Sequence, residues 1–295
     1  MNIKGRKMWI RTVNLAFTLF FAFLLAFPRS VGAATAQAVT FCITSIIPAL
    51  YIYLVFSRRI TAVTAVTKLC AHSFWGSVFT VALGFLCGCP AGAKNCVFLY
   101  ENGVISKKRG EYLCCLCSGA SVPFILSFAG AQIMGDIKYG LKLLLLLAFS
   151  VLVIALGFRP FLLKNEQKHK ISAFNYIRKT DFTAAVSESA YLLVSVCGFI
   201  VCFYVLGITV SGVFPKDSLY SLIVRGLFEF SGGIAQSASF PLPMRETLCG
   251  LFLGFGSLSG MFQTVSVINK SFSPKPFIIS RILTGVLMVV LTLLT

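Results

Sequence analysis

Acidic residues are scarce in this chain. Nine of 295 residues are Asp or Glu, against 26 Lys and Arg, and the charged fraction is 12%. A soluble domain carries roughly 25%. Histidine is scarcer still, with only His72 and His169. Two histidines exclude a histidine-rich metal centre and leave no sensible Ser-His-Asp grouping. His72 beside a cysteine is the one arrangement left for nucleophilic chemistry. Neither a G-x-x-x-x-G-K-[ST] phosphate loop nor an H-E-x-x-H helix occurs. The chain therefore reads as no enzyme, with no cofactor and no metal.

The net charge of +17 has a similarly plain explanation. The basic residues stand in short loops between apolar runs, as the positive-inside rule expects. No basic stretch is long enough to fold separately, so nucleic acid is not an expected partner. Eleven cysteines include C-x-C at Cys87 and Cys89 and C-C-x-C at Cys114, Cys115 and Cys117. They lie in or beside apolar segments, where a thiol behaves as a small hydrophobe. Disulfides lack an exported domain to hold them.

What is abundant is hydrocarbon. Residues of the hydrophobic class make up 57% of the chain, and several runs reach the ~20 residues that cross a bilayer core. The leucine and phenylalanine blocks do not alternate as barrel strands would. The fold class is an all-α polytopic membrane protein with the lipid bilayer as its solvent. The N-terminus carries Lys4, Arg6, Lys7 and Arg11, an apolar run from Val13 to Phe27, and V-G-A at 31–33. This imitates a signal peptide, but further apolar segments follow, so an uncleaved first helix is expected.

Nine segments are expected: 10–28, 34–57, 74–99, 112–135, 139–158, 184–207, 219–235, 247–268 and 276–295. Pro48, Pro90 and Pro123 interrupt three of them. Gly232 and Gly233 end or bend another, and Gly254, Gly256 and Gly260 loosen a fourth. Arg58, Arg59 and Lys68, then Lys107, Lys108 and Arg109, then the basic loop 159–183, all read as cytoplasmic, as does the N-terminus. The first two of these loops cannot share a side if 74–99 crosses. The stretch GFLCGCPAGAK at 84–94 resolves the conflict if the chain dips in, turns at Gly88–Gly92 and returns. Such backbone survives at membrane depth only when buried in protein or lining a cavity.

The loop 159–183 divides the chain into halves, 1–158 and 184–295. Gly84, Gly88 and Gly92 in the first find a counterpart in Gly250, Gly254, Gly256 and Gly260 of the second. Interrupted segments in corresponding halves point to a transporter site; small residues also serve close helix packing.

Polar residues inside apolar runs are the candidate site. Glu188 and Glu229 are the two acids there, and Arg225 lies one turn before Glu229, where a local ion pair could form. Glu188 lies about one turn from its helix end and could serve that terminus instead. Gln263 and Ser259 share a helix face beyond the G-F-G-S-L-S stretch holding Ser257. Amide and hydroxyls suit a small polar, uncharged solute. Gly88, Pro90, Gly92, Lys94 and Asn95 mark the first break, and Ser118 and Ser121 the Pro123 segment. Lys94 could instead snorkel to the surface.

Four stretches, in order over roughly 40–270, resemble the nucleoside-recognition, or Gate-domain, membrane proteins, in particular their sporulation members. Ile47–Phe56 carries the proline-interrupted early helix. Gly88-Cys89-Pro90-Ala91-Gly92-Ala93-Lys94 looks like the family's G-x-P-x-G-A-K. Gly226–Gly233, with Glu229, looks like its G-x-x-E-x-x-x-G. Gly254-Phe255-Gly256-Ser257-Leu258-Ser259, with Gln263, looks like its G-F-G-G-L-S, Ser257 replacing a glycine. The resemblance implies a bacterial cell-membrane protein needed for spore formation, built of paired Gate repeats. The expectation is a transporter or channel-like protein for a nucleoside-like solute. Segments 84–94, 118–126, 229–233 and 254–263 would line its site, with Glu188 and Arg225 tuning charge or coupling. A structural or assembly protein of the sporulation membrane is the alternative, and a homo-oligomer is left open.

Overall fold

A computed structural model describes residues 24–63, 74–164, 181–215 and 218–295, with Leu15, Thr18, Phe21 and Ala22. The N-terminal basic cluster, most of the expected segment 10–28, Lys68, His72 and residues 165–180 of the basic loop, including His169, lie outside the described residues. No strand occurs among the described residues.

The elements run α1 (Pro28–Thr61), α2 (Phe74–Cys87), α3 (Ala91–Glu101), α4 (Lys107–Cys117), α5 (Phe124–Met134), α6 (Ile137–Leu163), α7 (Phe182–Ser211), α8 (Leu219–Phe228), α9 (Phe230–Ser237), α10 (Leu242–Phe255), α11 (Ser257–Ile268) and α12 (Pro274–Leu294). Among the described residues, five stretches are long and apolar enough to cross a membrane: α1, α6, α7, α10–α11 together, and α12. They expose large apolar side chains outward, among them Leu145, Leu156, Val194, Val286 and Leu293. In water such faces would demand cover; in lipid they are already solvated.

The scarce acids and a few serines start the helices. Asp136 accepts from the Lys138 N–H, Asp181 from Ala184 and Ser106 from Arg109. Each satisfies a donor that the first turn leaves orphaned. Pro48 does not interrupt α1. A π-helical turn over Cys42–Ile46 precedes it, and the helix continues to Thr61. The wider turn accommodates the ring and the missing N–H.

The stretch 74–101 is two helices of 14 and 11 residues, about 21 and 16 Å long at 1.5 Å per residue, each short of a ~30 Å bilayer core. They fold back on each other, α2 against α3, around Gly88 with φ +72° and a cis Cys89–Pro90 bond. The arms approach at Gly84 and Gly92, where a Cβ on Gly92 would overlap the Cys117 carbonyl and stand 3.1 Å from the Gly84 Cα. The turn sits at 88–90, so Gly92 belongs to the returning arm.

A second hairpin occupies 219–237. Its break is Glu229, extended at φ −143° and ψ 113°, and not the Gly232–Gly233 pair, which lies inside α9. Here Gly226 and Gly233 meet, so the glycines again mark the close approach of the arms. The expected segment 219–235 is thus a hairpin of ten- and eight-residue helices.

Two further paths are discontinuous but do not fold back. Helices α4 and α5 both pack along α6. Their break covers Ser118–Ser121, upstream of Pro123, which stands in the turn leading into α5. Helices α10 and α11 part at Gly256 (φ +77°) and Ser257 (φ +55°). Across the molecule α1 packs on α7, and α6 on α12.

Candidate functional site

The breaks are joined by backbone contacts. The Cys89 N–H donates to the Gly119 carbonyl at 2.7 Å, stitching the first hairpin turn to the α4–α5 break. A Cβ on Gly88 would stand 2.8 Å from the Ser121 nitrogen, and one on Gly260 3.4 Å from Cys89 Sγ. Three interrupted segments therefore meet. Between them lies a cavity of about 30 Å³, lined by Gly88, Cys89, Gly119, Ser121, Phe230 and Gln263 among others. One water needs ~10–15 Å³ on such a measure, so this is room for two or three.

The polar side chains here are partly satisfied locally. Gln263 Nε2 donates to Ser259 Oγ at 3.0 Å, the Ser257 hydroxyl accepts from the Gly260 N–H, and the Ser121 hydroxyl from the Phe124 N–H. Pro90 lies in the hairpin turn and caps α3.

Glu229 belongs to another space. It is buried, and its Oε2 accepts from the Ser231 hydroxyl at 2.5 Å and the Gly232 N–H at 2.8 Å, capping α9. Its Oε1 is buried without a partner. This carboxyl lines a cavity of about 440 Å³ together with Arg225, Gln236, Ser231 and Tyr204. That is within the ~300–1,000 Å³ of small-molecule sites. Arg225 does not form the expected ion pair with Glu229 among the described residues. Its Nε donates to Ser211 Oγ at 2.8 Å and its Nη1 to Gln236 Oε1 at 3.2 Å, which ties α8 to the end of α7 and to α9. Tyr204 donates to Gln37 Oε1 at 3.3 Å, tying α7 to α1 near this cavity.

Lys94, Asn95 and Glu188 form a third group. Glu188 accepts from Arg58 Nε at 2.7 Å, an ion pair between α7 and α1. The Arg58 guanidinium lies 4.5 Å from the Phe98 ring centre. Asn95 is buried and donates from Nδ2 to Ser57 Oγ at 2.8 Å. The cleft they share with Lys94 holds about 10 Å³, one water at most. The sequence-expected residues thus fall into three places: Gly88, Ser121 and Gln263 at the breaks, Glu229 and Arg225 at the large cavity, and Lys94, Asn95 and Glu188 at the cleft.

Sequence reading missed Gln236 and Tyr204, and most of all Arg281. That arginine is fully buried in α12, with only its Nη2 bonded, to the Cys115 carbonyl at 3.1 Å. The available signal was a cation inside an apolar run, the mark that singled out the two acids.

The chain is similar to the sporulation integral membrane protein YlbJ of Bacillus subtilis (strain 168), at 25% identity over 256 residues. The match covers 73% of this chain and 63% of the relative, so the chain spans less than two thirds of that protein's length. This is a multi-pass membrane protein. The five apolar stretches and an integral-membrane relative agree on that point. No family model matches the chain, so the Gate-type reading rests on the motif residues. No solved structure matches it either.

Proposed function

We propose that this protein moves a small polar solute across a bacterial cell membrane, in the service of spore formation. The observation that carries the transport reading is the 440 Å³ cavity at the Glu229 break. Glu229, whose buried Oε1 has no hydrogen-bond partner, lines it with Arg225 and Gln236. An unpaired polar atom at membrane depth is costly, and a solute donor at Glu229 Oε1 removes that cost. The sporulation context is borrowed from the relative's name.

The order of elements supports a two-repeat architecture. A long helix, a hairpin, a discontinuous path and a long helix (α1, α2–α3, α4–α5, α6) are followed by the same series (α7, α8–α9, α10–α11, α12). On this reading the partner of 84–94 is 226–233, and the partner of the 118–121 break is 256–257. The glycine match to 250–260 read from spacing is then shifted by one element.

The test is uptake by proteoliposomes of the full chain, with radiolabelled uridine as the first probe. Wild type should exceed empty vesicles, and Glu229→Gln, which keeps an oxygen to cap α9, should cut uptake about tenfold or more. Uptake equal in wild type and Glu229→Gln would remove Glu229 from the path.

A second reading has its own observation. Asn95 and Gln263 are bonded to neighbouring side chains, as packing residues would be. A structural membrane protein of spore formation would show uptake no greater than empty vesicles for uridine and for other polar solutes.

A further inference from the structure

Helices α6 and α12 pack along each other, and a groove of about 440 Å³ runs between them. Its walls are two stripes: Ile154, Gly157 and Phe161 on α6, and Lys275, Ile279 and Leu283 on α12. Residues three and four apart share one face of a helix, so each stripe is a single face turned to the groove. Gly157 opens the space, since a Cβ built on it meets nothing within 4 Å. The apolar walls are uncovered, with Phe161 83% and Ile279 49% exposed. The groove shares no residue with the Glu229 cavity.

One end of the groove is basic. Lys275 lines it from the first turn of α12. That helix has 21 residues, about 31 Å at 1.5 Å per residue, the length of a ~30 Å bilayer core. Its first turn therefore stands at a headgroup layer, where a lysine keeps its ammonium wet. The last turns of α6 come to the same end. Glu111 of α4 accepts from the Ser273 N–H, just before α12, and the charge of Arg159 acts on the neighbouring Tyr112. Arg159, and Lys164 beyond it, thus share this layer with Lys275. All three are exposed. None enters the ion pairs found among the described residues, Arg58–Glu188 and Lys142–Glu246. An apolar groove with positive charge at its headgroup end complements a hydrocarbon tail with an anionic head.

We propose that the α6–α12 groove binds an anionic phospholipid, with one acyl chain lying between the two stripes and the phosphate against Lys275. The two walls hold the chain from both sides, which a convex helix face does not do, and Lys275 selects the head. Arg159 and Lys164 add to the attraction at the same layer. A zwitterionic lipid fits the groove with its chain but brings no net charge to the lysine.

The test is lipid retention followed by native mass spectrometry. The full chain, stripped of lipid in detergent, is titrated with phosphatidylglycerol or with phosphatidylcholine of the same acyl chains. The Kd of the first bound lipid is read for each. Wild type should hold phosphatidylglycerol about tenfold more tightly. Lys275→Gln should weaken phosphatidylglycerol about fivefold and leave phosphatidylcholine as it was. Lys270→Gln, at an exposed lysine that does not line the groove, should change neither. Gly157→Leu puts its side chain into open space, so it should fold, and by filling the groove it should weaken both lipids about fivefold or more. Equal wild-type affinities for the two lipids, or a Gly157→Leu protein that binds as wild type does, overturn the proposal. So does a loss in Lys270→Gln equal to that in Lys275→Gln, which would mean general attraction to a basic face. A wild-type dimer that Gly157→Leu splits, without lipid preference, would seat a second copy of the chain in the groove and overturn it likewise.

Discussion

At the scale of single residues, the chain uses its few polar groups for bonds that lipid cannot supply. Asp136 and Asp181 cap spans, Glu229 caps a hairpin arm, and Glu188 and Glu246 each take a cation from another helix. Asn95 belongs to this set. Its bond to Ser57 links the returning hairpin arm to α1. Interhelical hydrogen bonds in membranes average about 0.6 kcal/mol and reach about 1.7. Asn95→Ala should therefore destabilise the protein by ~1–2 kcal/mol, the lost packing adding to the lost bond. Ser57→Ala should be partly redundant with it in a double-mutant cycle followed by thermal or denaturant unfolding. A ligand-contacting Asn95 would instead show no coupling to Ser57. The special standing of Glu229 was legible, because a carboxylate between apolar runs has to be explained. The burial of Arg281 was not. An arginine two turns inside a span ordinarily snorkels to the interface, and this one bonds the carbonyl of Cys115, distant in sequence.

At the scale of elements, the interrupted segments were readable and the turning residue within each was not. Glycine and proline announce that a helix is interrupted. They do not say whether a given glycine is the turn or the contact between the arms. Gly88 and Gly256 are turns, by their positive φ. Gly84 with Gly92, and Gly226 with Gly233, are contacts. The extended residue of the second hairpin is Glu229 itself, which no propensity marks. Substitution separates the classes. Gly92→Ala forces a Cβ into the Cys117 carbonyl, and Gly233→Ala into the Gly226 Cα, backbone in both cases. Either should cost ~3 kcal/mol or more, above the usual 1–3 of overpacking because backbone cannot rotate away. Gly32→Ala, with nothing within 4 Å in the first turns of α1, should be neutral or stabilise by up to about 1 kcal/mol through helix propensity. Unfolding midpoints of the three variants in one detergent check the ranking; equal effects would mean that the arms do not cross at these glycines.

At the scale of the whole molecule, the proposed two-repeat reading predicts a topology. A hairpin whose arms are about 21 and 16 Å long returns to the side it entered from. On the two-repeat reading proposed above, the chain keeps Arg58, Arg59, Lys107, Lys108 and Arg109 on one side of the membrane, crosses through α4–α5, and crosses back through α6. This brings Arg159 and Lys164 to the side of the earlier basic residues, which removes the conflict that a crossing at 74–99 creates. Continuing through α7, that reading puts 212–215 on the opposite side. On that reading the second hairpin enters and returns there, so the two hairpins would approach the middle from opposite faces. Helices α10–α11 cross back, leaving Lys270 and Lys275 with the basic side. Single cysteines in a cysteine-free background should follow this order under a membrane-impermeant thiol reagent in intact cells. Positions 103 and 270 should be silent until the membrane is opened, and positions 135, 213 and 239 should be labelled from outside. Labelling of 103 together with 135 would mean that 74–101 crosses the membrane, and the opposed hairpins, with the repeat they imply, would have to be abandoned.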